Sequence, residues 1–265
     1  MIQNSEGAYW QRVNKLMRPV LLSLRIVEEI ASRQPIGASE LARRLELSKT
    51  TVHRALMSLA EAGWIEPTEE ARKSWRLSIH ALVVGGRAVE SRGDLRSIAI
   101  PVMEDLRRAT EETIHLLVRY QERVVLIERL DGIKPVRVFN PFGGRARLHR
   151  TSSGKAILAN LPQAELDAYL CGRLTSARTR APIDKKALAE ELALIRKRGF
   201  AVNLGDNHPG ANAVGAAIVD ERAHPIAAIT VSAPAERMTE KVCIARGAQV
   251  SDAARRIALG LRSRG

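Results

Sequence analysis

Two stretches of the chain carry side chains whose types and spacing could do chemistry. In Ser48-Lys49-Thr50-Thr51-Val52-His53-Arg54, hydroxyls and cations cluster at what reads as the start of a helix. Such groups at a helix N-terminal end suit phosphate oxygens and base edges in a DNA major groove. In Leu148-His149-Arg150-Thr151-Ser152-Ser153-Gly154-Lys155, a polar loop runs into a second helix start. Its free backbone N–H groups, helped by the helix dipole, suit a small anion, for which a carboxylate is the natural guest.

Sharper chemistry at the second stretch falls short. A phosphate-binding P-loop would need Gly at position 149 and Ser or Thr at 156, where the chain has His149 and Ala156. Ser152 and Lys155 match the Ser-x-x-Lys spacing of acyl-transfer enzymes, but no Lys-Thr-Gly or Ser-Asp-Asn element accompanies them. No catalytic residue is therefore assigned. Further polar candidates are Asn203, Asp206, Asn207 and Asn212 around Pro209-Gly210, and Thr230 with Ser232, two apart and so on one face of a strand. Converging on the amides near Ser152, these would form a small polar pocket for an organic acid. His115, His208 and His224 have no metal-ligand spacing, and neither a metal nor a cofactor is expected.

The elements that must position these groups follow from periodicity. Ser48 is a suitable N-cap and Gly63 a suitable C′ residue for a helix whose Val52, Ala55, Leu56 and Leu59 line one apolar stripe. Lys49, Thr50, Thr51, His53, Arg54 and Ser58 face the other way. Before it, a helix from Ser39 to Leu45 buries Leu41 and Leu45 and is joined by a tight turn at Glu46-Leu47. After it, Trp64 to Pro67 and Ser74 to Leu77 read as two short strands around a charged loop, the wing of a winged helix-turn-helix. A supporting helix from Pro19 presents Val20, Leu21, Leu24, Val27, Ile30 and Ala31. Candidate DNA contacts are Ser39, Ser48, Lys49, Thr50, Thr51, His53 and Arg54, with Arg72 and Lys73 from the wing.

Beyond the wing, Ile79 to Ser91 reads as a linker helix weakened by Gly85 and Gly86. The domain boundaries expected are an arm over 1–17, the winged head over 18–78, the linker over 79–93 and a second domain over 94–265. That domain opens with a helix from Leu95 to Thr110, whose stripe is Ile98, Val102, Leu106 and Ala109. Strands are expected at Ile114–Arg119, Val124–Leu130, Val136–Phe139, Phe200–Asn203, Ala213–Val219 and Ile226–Ser232. Helices are expected at Lys155–Ala159, Pro162–Leu170, after the Asp184 cap, and from about Thr239 to Leu261. This mixed order implies an α+β domain with a largely antiparallel sheet covered by helices.

Composition sets the compartment and partner. The 265 residues carry a formal net charge of +13, which favours a polyanion, although the excess is spread along the whole chain. Aromatics are only 3%, which disfavours stacking platforms for single strands and leaves duplex DNA. Two cysteines give no disulfide framework, and neither a membrane span nor a signal peptide is evident, so a cytoplasmic protein without a membrane partner is expected.

From about Arg18 to the C-terminus the chain resembles the isocitrate lyase regulator (IclR) family of bacterial transcription factors. The resemblance rests on ASELARRLELSKTTVHRALMSLAEAGW, on LHRTSSGKAILA, and on the run from Gly199-Phe200-Ala201-Val202-Asn203 through Gly210-Ala211-Asn212-Ala213-Val214 to Ile229-Thr230-Val231-Ser232-Ala233-Pro234. It implies a winged helix-turn-helix head, a linker helix and a GAF-like effector-binding domain, assembled as a homodimer or tetramer on double-stranded operator DNA. It also implies a small organic acid effector held by Ser152, Ser153, Asn203, Ala213, Thr230 and Ser232. Asn203 stands where the family carries an acid, and Ala213 where it often carries Cys. Losing that charge and bulk points to an effector larger than the smallest keto acids, aromatic acids included. The function expected is a repressor or activator controlled by that effector. Two alternatives remain: a constitutive DNA-binding dimer whose pocket is degraded, and a small-molecule enzyme with an accessory head.

Overall fold

The computed structural model describes residues 17–68, 74–90 and 93–263. The chain divides into two compact units, 1–91 and 92–265.

In the first unit, α1 (Arg18–Arg33), α2 (Ala38–Leu45) and α3 (Lys49–Glu61) enclose a small core of Ile26, Ile30, Leu41, Val52, Leu56 and Leu59. Both ends of α3 are closed by local chemistry. The Ser48 hydroxyl accepts from the Thr51 N–H at 3.1 Å. Gly63 takes φ +75°, and Trp64 N–H reaches back to the Leu59 carbonyl at 2.9 Å, a Schellman closure. Glu46 holds the α2–α3 turn at φ +57°. Antiparallel β2 (Ile65–Pro67) and β3 (Ser74–Leu77) form the wing, and β1 (Ile36–Gly37) joins the far side of β3. Arg72 and Lys73 lie outside the described residues. The helix expected as a linker, α4 (Ile79–Glu90), runs through Gly85 and Gly86 and groups with this unit.

The stripe expected on the supporting helix holds at Val27 and Ile30, which pack in the core, and fails at its other positions. Val20, Leu21, Leu24 and Ala31 are exposed, whereas Leu22, Ile26 and Ile30, one row at i, i+4 and i+8, face the core. With apolar residues nearly all round its N-terminal half, that helix offered two rows, and packing on α3 selected the second.

The second unit is a six-stranded, wholly antiparallel sheet in the order β6-β5-β4-β9-β8-β7, formed by β4 (Thr113–Tyr120), β5 (Arg123–Leu130), β6 (Arg145–Arg147), β7 (Ala201–Leu204), β8 (Ala211–Val219) and β9 (Pro225–Pro234). Strand alternation sorts its side chains. Ile114, Leu116 and Val118 of β4, with Ala227, Ile229, Val231 and Ala233 of β9, pack under α5 (Gly93–Thr110) and α9 (Glu240–Arg262). The opposite face meets α6 (Ser152–Ala159), α7 (Gln163–Cys171) and α8 (Lys185–Arg198). Leu95, Ala99, Val102, Met103 and Leu106 form the buried row of α5, and Ala109 is exposed rather than in the stripe.

The strand expected at Val136–Phe139 does not form; that segment is irregular, and the edge strand is Arg145–Arg147 instead. Pro135 and Pro141 bracket the segment and cannot donate to a ladder. The Val136 carbonyl accepts from Arg237 at 2.8 Å, and that of Asn140, just beyond the segment, accepts from Arg129. Among the described residues no helix is long and apolar enough to cross a membrane, and no group of three or more His, Cys, Asp or Glu could hold a metal ion.

Candidate functional site

The N-terminal half of α3 presents Lys49, Thr50, His53 and Arg54 as exposed side chains, with Ser48 before them and Thr51 half-buried. Burial of Val52, Leu56 and Leu59 on the opposite side fixes this rotation. Ser39 is exposed on the first turn of α2. The Ser48 and Thr51 hydroxyls lie 2.8 Å apart, so one of the pair keeps a proton for an outside acceptor. Lys49 and Arg54 make no described ion pair, unlike Arg43 and Arg44 of α2, which bind Glu40 and Glu29. A hydroxylated helix end whose cations make no ion pair among the described residues can take phosphates and base edges.

The second unit holds a cavity of about 290 Å³ between the sheet and the start of α6. Ser152, Ser153, Asn203, Ala213, Thr230 and Ser232 all line it, as do Asn207 and Asn212, whereas Asp206 does not. The route from sequence is short. Thr151 caps α6 by accepting from Gly154 N–H at 3.0 Å, and the helix then leaves the Ser152 and Ser153 N–H groups without intrahelical acceptors. Thr230 and Ser232 share the α6-side face of β9, and Ala213 lies opposite Ser232 on β8. Two glycines bring helix and sheet together. A Cβ on Gly154 would lie 2.1 Å from the Leu148 carbonyl oxygen, and one on Gly215 would lie 2.7 Å from Thr230 Cγ2 and 3.1 Å from Ser153 N.

Asn203 is tethered, its amide donating to the Arg150 carbonyl at 2.9 Å and to Asp206 Oδ2 at 3.2 Å. The same Asp206 oxygen accepts from Lys155 Nζ at 3.2 Å, and Glu191 accepts from it at 2.9 Å. Lys155 is thus an ammonium clamped between two carboxylates, not a free amine beside Ser152. Asn212 is spent on the Met238 carbonyl at 2.8 Å, a structural bond under the cavity floor.

Leu117, Val124, Leu126, Val138 and Ala146 supply an apolar wall. His115 and Asn140 are polar lining residues that the sequence reading did not place here. His115 Nδ1 lies 3.3 Å from Ser232 Oγ and its Nε2 lies 3.4 Å from Asn140 Nδ2. Burial, then the nearby Arg129 guanidinium, push His115 down to about 4, so it is neutral near pH 7. The register could have flagged it: His115 pairs with Thr230, and side chains paired across neighbouring strands share a face. Asn140 carried no signal: it lies just past the segment read as strand, in an irregular stretch before Pro141. The cavity therefore has a donor-rich end at α6 and β9, an apolar wall on β4 and β5, and no lining carboxylate.

Comparison with known proteins places this geometry. Residues 87–259 match the family model described as the bacterial transcriptional regulator IclR C-terminal, and residues 23–69 match the IclR helix-turn-helix domain. The chain is 30% identical over 240 residues to the transcriptional repressor IclR of Escherichia coli strain K12, covering 89% of this chain and 87% of that one. The crystal structure of Thermotoga maritima IclR is 26% identical, with a TM-score of 0.72 and coverage of 93% of this chain and 99% of that one. An IclR homologue from Microbacterium hydrocarbonoxydans, crystallised with 4-hydroxybenzoate, is 25% identical, with a TM-score of 0.75 and coverage of 92% and 99%.

Proposed function

The chain belongs to the IclR family of bacterial transcriptional regulators, and from that premise we propose that it binds operator DNA through α3 and the wing and is switched by an aromatic or similarly sized organic acid. The observation that carries the effector half is the cavity itself. Six residues drawn from α6, β7, β8 and β9 meet around about 290 Å³, against ~150 Å³ for an apolar cavity that admits benzene, which is generous for a two-carbon acid. The Ser152 and Ser153 N–H groups and the Thr230 and Ser232 hydroxyls receive the carboxylate, and Leu117, Val124 and Leu126 flank the body of the acid. The absence of a lining carboxylate spares an anionic guest charge repulsion. The related protein from Microbacterium hydrocarbonoxydans supports an aromatic acid as the class to test first.

On the DNA side, Lys49 and Arg54 take phosphates or base edges, with Ser39, Ser48, Thr50, Thr51 and His53 completing the face. The working unit is a homodimer or tetramer, which presents two copies of α3 to half-sites about 34 Å, or a multiple, apart. The protein acts by binding rather than catalysis and works in the cytoplasm. Effector control needs only unequal affinity for the two arrangements of the heads, ~1–3 kcal/mol of coupling.

The test is thermal unfolding of the full chain with 4-hydroxybenzoate, benzoate, glyoxylate and pyruvate, followed by anisotropy on duplex from its own upstream region with unrelated duplex as competitor. The aromatic acids are expected to raise the melting temperature and to change operator affinity by about 5- to 150-fold. A rise produced only by the two- and three-carbon acids would sink the aromatic assignment, and no rise with any acid would sink effector control.

A further inference from the structure

Outside the effector cavity, the second unit carries a surface groove of about 520 Å³ lined by Arg147, Arg150, Arg173, Arg180, Thr175 and Ser176. We infer that this groove is a second ligand site, built for a multivalent oxyanion of the phosphate class.

Four guanidiniums converge there with little to neutralise them. Arg147 shares Glu122 at 3.1 Å, a carboxylate whose side chain is 55% exposed. Arg150 is held by neutral oxygens: its Nε donates to the Thr175 carbonyl at 2.9 Å and its Nη2 to the Thr175 hydroxyl at 2.8 Å. Among the described residues Arg173 and Arg180 make no ion pair, whereas Arg96, Arg107, Arg119 and Arg256 elsewhere on this unit each sit on a carboxylate. Guanidinium forks match phosphate oxygens in pairs, and an array with its counter-charge missing is what such a ligand completes.

The groove is also preorganised. Its outer wall is a closed hairpin, with a bridge between Thr175 and Pro182, Ser176 N–H donating to the Ala181 carbonyl at 2.9 Å, and Arg180 N–H donating to the Ser176 carbonyl at 3.1 Å. The Ser176 hydroxyl accepts from the Arg178 and Thr179 N–H groups at 3.2 and 3.3 Å, which leaves its own proton for another acceptor. Arg180 takes φ +58°, a left-handed conformation that favours Gly or Asn, yet the residue there is a cation lining the groove. The inner wall is equally fixed, because the Thr175 carbonyl also lies 3.0 Å from His149 Nε2, whose Nδ1 lies 2.6 Å from the Tyr169 hydroxyl.

Arg150 joins this groove to the interior. Its side chain lines the groove, while its carbonyl accepts the Asn203 amide that borders the effector cavity. The oxyanion site does not rest on the effector reading, since none of its lining residues borders that cavity.

The experiment uses the full chain and inorganic pyrophosphate as the probe, by calorimetry at constant ionic strength set with chloride. The wild type should bind with a saturable isotherm. Arg173→Ala/Arg180→Ala removes two exposed cations without breaking a described ion pair and should weaken binding at least 10-fold. Arg222→Ala/Lys241→Ala, which removes the same charge elsewhere on the unit, should leave binding within 2-fold. Operator affinity should be unchanged by either pair. Non-saturating binding, or equal loss in both double variants, would overturn the site in favour of diffuse charge. Loss of operator affinity in Arg173→Ala/Arg180→Ala without saturable pyrophosphate binding would also overturn it, by assigning the arginines to DNA.

Discussion

The two candidate sites open on the same device and use it in opposite surroundings. In α3 the Ser48 hydroxyl accepts from the N–H three residues on, that of Thr51; in α6 the Thr151 hydroxyl accepts from the N–H three residues on, that of Gly154. Each helix thereby offers remaining first-turn N–H groups and a positive dipole end to an anion. At the start of α3 Lys49, Thr50, His53 and Arg54 are exposed, and Lys49 and Arg54 make no ion pair among the described residues, whereas all eight residues of α6 are buried. An exposed end backed by cations suits a polyanion read through its surface. A buried end with an apolar wall suits one small acid that must shed its water. The dipole supplies attraction in both; burial and the neighbours decide what is attracted.

The sharpest way to break this comparison lies at the third position of each helix. Gly154 is pressed against the Leu148 backbone, so Gly154→Ala has no flexible side chain to displace and must move α6 itself. A loss of at least ~3 kcal/mol in denaturant unfolding is expected. Thr51→Ala, on a half-exposed turn, should cost under ~0.5 kcal/mol. Similar costs at the two positions would show that α6 is not locked into its unit as described.

Acid should distinguish the regions next. His115 is held neutral at about 4 against 6.5 unfolded, so the unfolded chain binds the extra proton as pH falls. Its contribution is whole above pH 6.5, is lost progressively down to about pH 4, and changes no further below that. At 1.36 kcal/mol per pH unit the loss is roughly 3 kcal/mol. The difference in melting temperature between wild type and His115→Gln should therefore vary between pH 6.5 and 4. His149, also held below its ordinary value by burial, contributes with the same sign and cancels in that difference. A difference independent of pH would mean that water reaches His115 and the cavity wall is open.

What could be read from the sequence divides along the same line. The ends of α3 were legible because Ser48 and Gly63 solve local problems with local chemistry, and its face followed from Val52, Leu56 and Leu59. The Thr230–Ser232 face was legible from a period of two. His115 was seen but not placed, because its position depends on which strand pairs with β9. Val136–Phe139 has strand composition, yet the Val136 carbonyl is taken by Arg237, a partner distant from it in sequence. Val20, Leu21, Leu24 and Ala31 of α1 were misplaced for the same reason: packing on α3 chose between two apolar rows that composition could not rank. Local capping is written in neighbouring residues, while cavity walls are written in pairings.

Arg54→Ala tests the exposed end alone. Loss of preference for the protein's own duplex over unrelated duplex by ~1–3 kcal/mol is expected, with the melting shift produced by 4-hydroxybenzoate unchanged. If instead both duplexes weaken alike, Arg54 holds a phosphate and the sequence is read by Lys49, Thr50 or His53.

The two cap residues are the most informative about the shared device. Ser48→Ala and Thr151→Ala each remove a cap worth ~1 kcal/mol, so the two variants should unfold at nearly the same denaturant concentration below wild type. Their functional losses should not overlap. Without its cap the first turn of α3 frays where it meets DNA, so Ser48→Ala should weaken operator binding and leave acid binding intact. Thr151→Ala should loosen the Ser152 and Ser153 N–H groups and weaken acid binding, while operator affinity without acid stays as in wild type. Anisotropy and calorimetry on the same two proteins decide it. If Thr151→Ala binds acid normally, the cavity captures its guest through the Thr230 and Ser232 hydroxyls, and the likeness between the two helix ends is one of capping alone.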